Sequence, residues 1–275
     1  MILPIPRILA VAVFRCGAAI VVPAAIGAQA TVLLQVRPHV GDTIRLGIDQ
    51  EMEMSGARKV KGVDSAVTTT TTVRIRSHAV VVRSDSSGAT VDATADSVSA
   101  TSSDAHESAS HTETAKRLLG RTVRLRFSPD GGTEVSAGDP AAQELFAQMP
   151  ATLPKDAVAV GSTWTRELHL PSVRSDEDRV MRATFRLDSL THGGQFAHIS
   201  MKGTVSGSRA YEKRGVLTHD GTVAGMLVLD RRRGWLSDAR STVNVKSVLA
   251  WEGGGMPPTA MRMKVTQWVR VLDNK

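Results

Sequence analysis

The stretch from Trp235 to Trp251 constrains the fold most. Its odd positions carry Trp235, Ser237, Ala239, Ser241, Val243, Val245, Ser247, Leu249 and Trp251, while Asp238, Arg240, Thr242, Asn244 and Lys246 hold even ones. A period of two places the two sets on opposite faces of one strand. Run as a single strand, it spans roughly 55 Å at ~3.3 Å per residue, whereas a usual strand has about 5–6 residues. A strand of that length needs partners of similar length, which points to a wide, curved antiparallel sheet.

The same alternation recurs along the chain. Ile44, Leu46, Ile48, Met52 and Met54 oppose Arg45, Asp49, Glu51 and Glu53. Val67, Thr69, Thr71, Val73, Ile75, Ser77, Ala79 and Val81 share a parity, so the threonine run 68–72 reads as strand, in keeping with the β preference of branched side chains. Met261, Met263, Val265, Val269 and Val271 oppose Arg262, Lys264, Thr266 and Arg270. Further strands are expected at 89–95, at 119–127 (Leu119, Val123, Leu125, Phe127), from Thr133, and at 164–170, 181–187, 196–205, 216–219 and 222–229. Turns are expected at 84–88, 129–132, 193–194, 220–221, 230–234 and 253–258, and a polar loop at 55–65. Residues 97–114, rich in Ser, Ala and His, read as a mobile loop or frayed strand.

One helix stands out. Asp139 suits an N-cap and Pro140 a first helical position, and Ala142, Leu145, Phe146 and Met149 form a single apolar stripe before Pro150. The expected class is therefore all-β and mainly antiparallel: a long curved sheet, half-barrel or sandwich with one short helical insert at about 140–149. Val40-Gly41-Asp42-Thr43 is echoed by Val160-Gly161-Ser162-Thr163, which raises a pseudo-repeat of 38–136 and 158–272 within one domain, 31–275.

The first thirty residues read as an export signal. Arg7 and Arg15 are their only charges, residues 16–27 are apolar or small, and Ala28-Gln29-Ala30 fits a small-x-small cleavage site. Cleavage is expected after Ala30. The alternative is an uncleaved anchor, since 8–28 approaches bilayer-spanning length, although Arg15 interrupts it. Cleavage would remove Cys16, the only cysteine, and with it disulfides, thiolate metal sites and thiol nucleophiles. The protein is expected in the periplasm or outside the cell. Aromatic residues make up 4 % of the chain, so the core must be aliphatic.

A formal net charge of +7 raises nucleic acid as a partner. The lysines and arginines are scattered, however, and the one tight cluster, Arg231-Arg232-Arg233, falls in a turn, so no nucleic-acid partner is expected. Membrane association is expected to be peripheral at most. A transmembrane barrel would need an aromatic girdle, and the chain has one Tyr and four Trp.

Catalytic motifs are missing from the sequence. It contains no Gly-x-Ser-x-Gly elbow, His-Glu-x-x-His helix, P-loop or Gly-x-Gly-x-x-Gly turn. Asp104, His106, Glu107, His111 and Glu113 are competent metal ligands, but their segment offers no rigid frame. His78, His198 and His219 lie in or beside strands, and a hydrolase site around His198 or His219 is the least favoured reading. Asp176, Glu177 and Asp178 read as a charged loop. No catalytic residue, cofactor or metal site is expected.

Leu153-Pro154 followed by Val158-x-Val160-Gly161-Ser162-Thr163-Trp164 resembles the hallmark of an exported bacterial family of unknown function. Val40-Gly41-Asp42-Thr43, Gly120-Arg121-Thr122-Val123, Ser128-Pro129-Asp130-Gly131 and Asp230…Gly234-Trp235 extend the resemblance over roughly 38–273. That family has no established activity to carry over. The long strands and single helix are also distantly similar to LolA/LolB-type lipoprotein carriers, which implies an acyl chain held on a concave sheet. The expected function is thus a non-catalytic binding module for a lipid or lipoprotein acyl chain, with Met52, Met54, Leu145, Met261 and Met263 lining an apolar groove. The alternative is a structural module that engages another envelope protein along a sheet edge.

Overall fold

The fold is that of a computed structural model described over residues 30–60, 63–104, 108, 113, 115–138, 152–169, 178–211, 215–251 and 258–272. Period-two patterning yields eleven strands: β1 (Thr43–Val60), β2 (Val63–Asp85), β3 (Gly88–Ser102), β4 (Thr122–Phe127), β5 (Thr133–Gly138), β6 (Thr163–His169), β7 (Asp178–Thr191), β8 (Phe196–Tyr211), β9 (Gly215–Asp230), β10 (Trp235–Trp251) and β11 (Thr259–Val271). They form one sheet in the order β5-β4-β3-β2-β1-β11-β10-β9-β8-β7-β6, with every neighbouring pair antiparallel. Two runs of consecutive hairpins meet where β1 pairs with β11, and the sheet is open between β5 and β6. The all-β, antiparallel, curved architecture is the expected one.

The sheet curls strongly. The rings of Phe127 on β4 and Trp235 on β10 meet edge-on at 4.9 Å. In a flat sheet those strands would stand five spacings apart, roughly 24 Å. The inner face therefore closes around a core built from Ile75, Ala79 and Val81 (β2), Val91 (β3), Val123 and Leu125 (β4), Phe185 and Leu187 (β7), Ile199 (β8) and Leu229 (β9). A bulge at Ser237 breaks the alternation of β10, so Trp235 and Leu236 both reach that core.

A strap of residues 32–38 crosses one end of the curl. Val32 bridges Val158, Val36 donates its N–H to the Pro129 carbonyl (2.8 Å), and Arg37 donates to Gly234 (2.8 Å). Leu34, Val36 and Pro38 point inward and are buried, while Leu33, Arg37 and His39 point out. Gly234 has φ +62°, and a Cβ there would lie 2.1 Å from the Arg37 carbonyl oxygen, so only glycine admits the strap.

The two Val-Gly-x-Thr boxes make one turn twice. Gly41 and Gly161 both have φ +89°. Gly41 donates to the Val81 carbonyl and Val81 donates to Asp42; Gly161 donates to Leu187 and Leu187 donates to Ser162. Each acceptor strand then carries a bulge, after Val81 in β2 and after Leu187 in β7.

Several local expectations are corrected. Within the loop expected at 55–65, residues 55–60 continue β1 and residues 63–65 begin β2, and the two strands pair as far as Val60 with Val63. The turn expected at Asp220-Gly221 is continuous β9. Glycine is there because β10 crowds the inner face: a Cβ on Gly221 would stand 2.2 Å from the Asn244 carbonyl oxygen. The expected loop or frayed strand at 97–114 is β3 as far as Ser102. Beyond it Ser108, Glu113 and residues 115–118 are helical, with Ala115 and Leu118 buried at helical spacing. Leu119, expected to begin the next strand, lies in the turn that follows and is exposed. The helix expected at 140–149 and, except for Pro258, the turn expected at 253–258 lie outside the described residues.

Candidate functional site

At the strap end the inner face is sealed; toward the far end it loosens. β1 and β11 pair Gly56 with Met261, Met54 with Met263 and Met52 with Val265. Paired residues project to the same face, so the register gathers four methionines on the inner side of the central seam. β2 extends this surface with Thr69 opposite Met54 and Thr71 opposite Met52, and β10 with Val243 opposite Val265 and Val245 opposite Met263. Met52, Met54 and Met263 are half-buried, and Met261 is 43 % exposed. Four of the five expected groove residues thus share one patch. Leu145 lies outside the described residues.

A polar row separates this patch from the sealed end. Gln50 pairs with Gln267, which pairs in turn with Ser241. At the outer limit of the patch, Ser247 lies opposite Met261 and His219 opposite Ser247, with His219 Nδ1 and Ser247 Oγ 2.8 Å apart. The patch is therefore a thioether and aliphatic surface bounded by hydrogen-bonding side chains. Such a surface suits a flexible apolar chain with a polar group at one end.

The other histidines are placed apart from it. His198 Nε2 meets Thr191 Oγ1 (3.0 Å), and His78 Nδ1 meets Asp96 Oδ1 (2.6 Å), both on the outer face. Of the metal-competent group, His106, Glu107 and His111 lie outside the described residues. Among the described residues no three His, Cys, Asp or Glu side chains converge as a metal site.

The outer face is charged. Asp49 accepts from Arg76 (3.1 Å) and Arg270 (3.3 Å), and Arg240, across the β10–β11 pair, and Arg270, two residues along β11, both lie over the Trp268 ring, whose indole N–H bonds Asp238 (2.8 Å). Arg124 grips Asp92 with two hydrogen bonds (2.7 and 2.8 Å) and holds that carboxyl below its ordinary range. Such a face suits water rather than acyl chains. Among the described residues, no helix is long and apolar enough to cross a membrane.

Sequence reasoning missed the polar lock at the sealed end. Arg166 of β6 points inward and reaches Asp130 Oδ2 (3.2 Å) and the Leu153 carbonyl. Thr152 and Leu153 donate to the Asp130 carbonyl, and the Trp164 indole donates to Thr152 (2.8 Å). These contacts bring β6 against the β4–β5 turn although no ladder joins them. The inward parity of Arg166, between Trp164 and Leu168, was the available sign.

No family model matches this chain, and no curated protein matches it. Among solved structures it is similar to that of DynF from the dynemicin biosynthesis pathway of Micromonospora chersina, at 11 % identity and a TM-score of 0.23, over 90 % of this chain and 88 % of that one. A likeness at that score carries no inference about fold or function.

Proposed function

We propose that this protein is an exported, non-catalytic binding module of the cell envelope that holds a lipid or other apolar ligand against its inner face. The observation that supports this reading is the in-register gathering of Met52, Met54, Met261 and Met263 on a half-open concave surface. Burial of an acyl chain there contributes about 0.8 kcal/mol per CH₂, so about ten carbons suffice for micromolar affinity before ordering costs. Methionine adapts to chains of differing shape. The ligand's polar end would meet His219 and Ser247, or Gln50 and Gln267. No cofactor enters this reading.

Titration with a naphthylamine probe tests it. Saturable binding displaced by a fatty acid supports the proposal, and binding that never saturates refutes it. Native mass spectrometry on protein purified without detergent then identifies the ligand class. The alternative, an interaction module for another envelope protein, rests on the open sheet ends at β5 and β6. It predicts protein adducts without lipid.

A further inference from the structure

The strap end carries a second surface, independent of the methionine patch. The outward residues of the strap, Leu33, Gln35, Arg37 and His39, face the β9–β10 turn across a cleft of about 500 Å³. Arg231 and Arg232 form its opposite wall, and no carboxylate lines it. The turn that carries the arginine cluster is thus one half of a cationic cleft, and a main-chain hydrogen bond, Arg37 to Gly234, fixes the two halves together. Arg231 Nη1 is held by the Gly194 carbonyl (2.5 Å), which aims it. Among the described residues, the side chains of Arg37 and Arg232 form no ion pair, so their charge is available. Around the cleft stand three apolar side chains: Leu33 (44 % exposed), Val40 (62 %) and Val82 (42 %). Val82 lies two residues along β2 from Ser84 of the cleft wall.

We propose that this end docks on an anionic lipid bilayer, the cleft receiving a headgroup phosphate and Leu33, Val40 and Val82 entering the interface. Clustered arginines favour an anionic surface by charge, and a rim of exposed aliphatic residues favours a bilayer over a soluble anion. Retained as an anchor, the apolar segment 16–27 would leave the strap, which starts five residues later at Val32, as the part of the described fold nearest that membrane. Met54 lies eleven residues along β1 from Thr43, roughly 36 Å away. The ligand patch therefore points away from the docked bilayer.

Vesicle co-sedimentation of the purified protein tests this directly. It should pellet with phosphatidylglycerol vesicles but not with phosphatidylcholine vesicles, and about 0.5 M salt should release it because screening then acts within a few ångströms. Arg37→Gln and Arg232→Gln should each weaken binding about fivefold, and the pair about 25-fold. Met54→Ala should leave vesicle binding unchanged, which separates this surface from the ligand patch. Equal pelleting with neutral vesicles, or an undiminished double variant, would overturn the proposal. So would binding of inorganic phosphate without any pelleting, which would make the cleft a site for soluble anions.

Discussion

The two ends of the curled sheet are made from the same strands and have opposite characters. At the strap end, β7 and β8 bury Phe185, Leu187, Ala197 and Ile199 completely, and Leu34 fills the centre. Along the same inner face, beyond the Gln50–Gln267 row, Met52, Met54 and Met263 stay half-buried. The difference lies in what crosses the curl. The strap, the Phe127–Trp235 contact and the Asp130–Arg166 lock seal one end. Stability is therefore expected to concentrate at the sealed end and ligand contact at the other, since binding surfaces are drawn from the less stable parts of a fold.

The largest expected effect is on stability. Phe185→Ala removes a fully buried ring stacked on Trp164 (centroids 5.9 Å) and should cost about 3–5 kcal/mol in urea unfolding. Met54→Ala, half-buried, should cost about 1 kcal/mol. Equal costs would erase the distinction between the ends. Next comes the lock. Arg166→Leu leaves the part-buried Asp130 carboxylate without its cation and should cost about 2 kcal/mol. A double-mutant cycle with Asp130→Asn should recover most of that as coupling; additive costs would show that the two residues act separately. Smaller still, Met54→Ala with Met263→Ala should weaken probe binding about tenfold, some 1.4 kcal/mol, while Arg166→Leu leaves probe affinity unchanged. A probe that follows the lock instead would move the ligand site to the sealed end.

The contrast was only half legible in the sequence. Alternation in β1, β2, β10 and β11 marks both faces and places Met52 with Met54, and Met261 with Met263, on the apolar parity of their own strands, because the strand period is a local property. That Met54 stands beside Met263 depends on β1 pairing with β11, a contact between the two ends of the chain that no local pattern encodes. The sealed end was harder to read. The strap's apolar run, Val32 to Val36, resembles any short strand, and its partners are a turn at Pro129, another at Gly234 and a bridge at Val158. Glycine misled in one place. At Gly221 it answers a close approach of β10 inside the sheet, yet in sequence Asp220-Gly221 has turn chemistry. The Ala115–Leu118 turn was hidden because two apolar residues at helical spacing, among polar neighbours, also fit a strand edge.

The smallest expected effect concerns acid, and it asks what kind of force holds the sealed end. On the outer face beside it, Asp92 lies in the bidentate grip of Arg124, whose hydrogen bonds hold the carboxyl below its ordinary range. At the β2–β3 turn, Asp85 accepts from the Ser87 hydroxyl and N–H and is lowered to about 2. A carboxylate lowered in the folded state contributes stability in full above its unfolded pKa of about 3.9 and loses it as pH falls through the folded value. The slope of stability against pH should thus be positive between about pH 2 and 4, and Asp92→Asn should flatten part of it. The change should be slight and should shrink with added salt, because Arg124 stands in water. The sealed end itself rests on apolar burial, so near-ultraviolet circular dichroism from Trp235 and Trp164 should persist through this acid range. Loss of that signal within this acid range would mean that ionised carboxylates rather than the Phe185 core hold the strap end together.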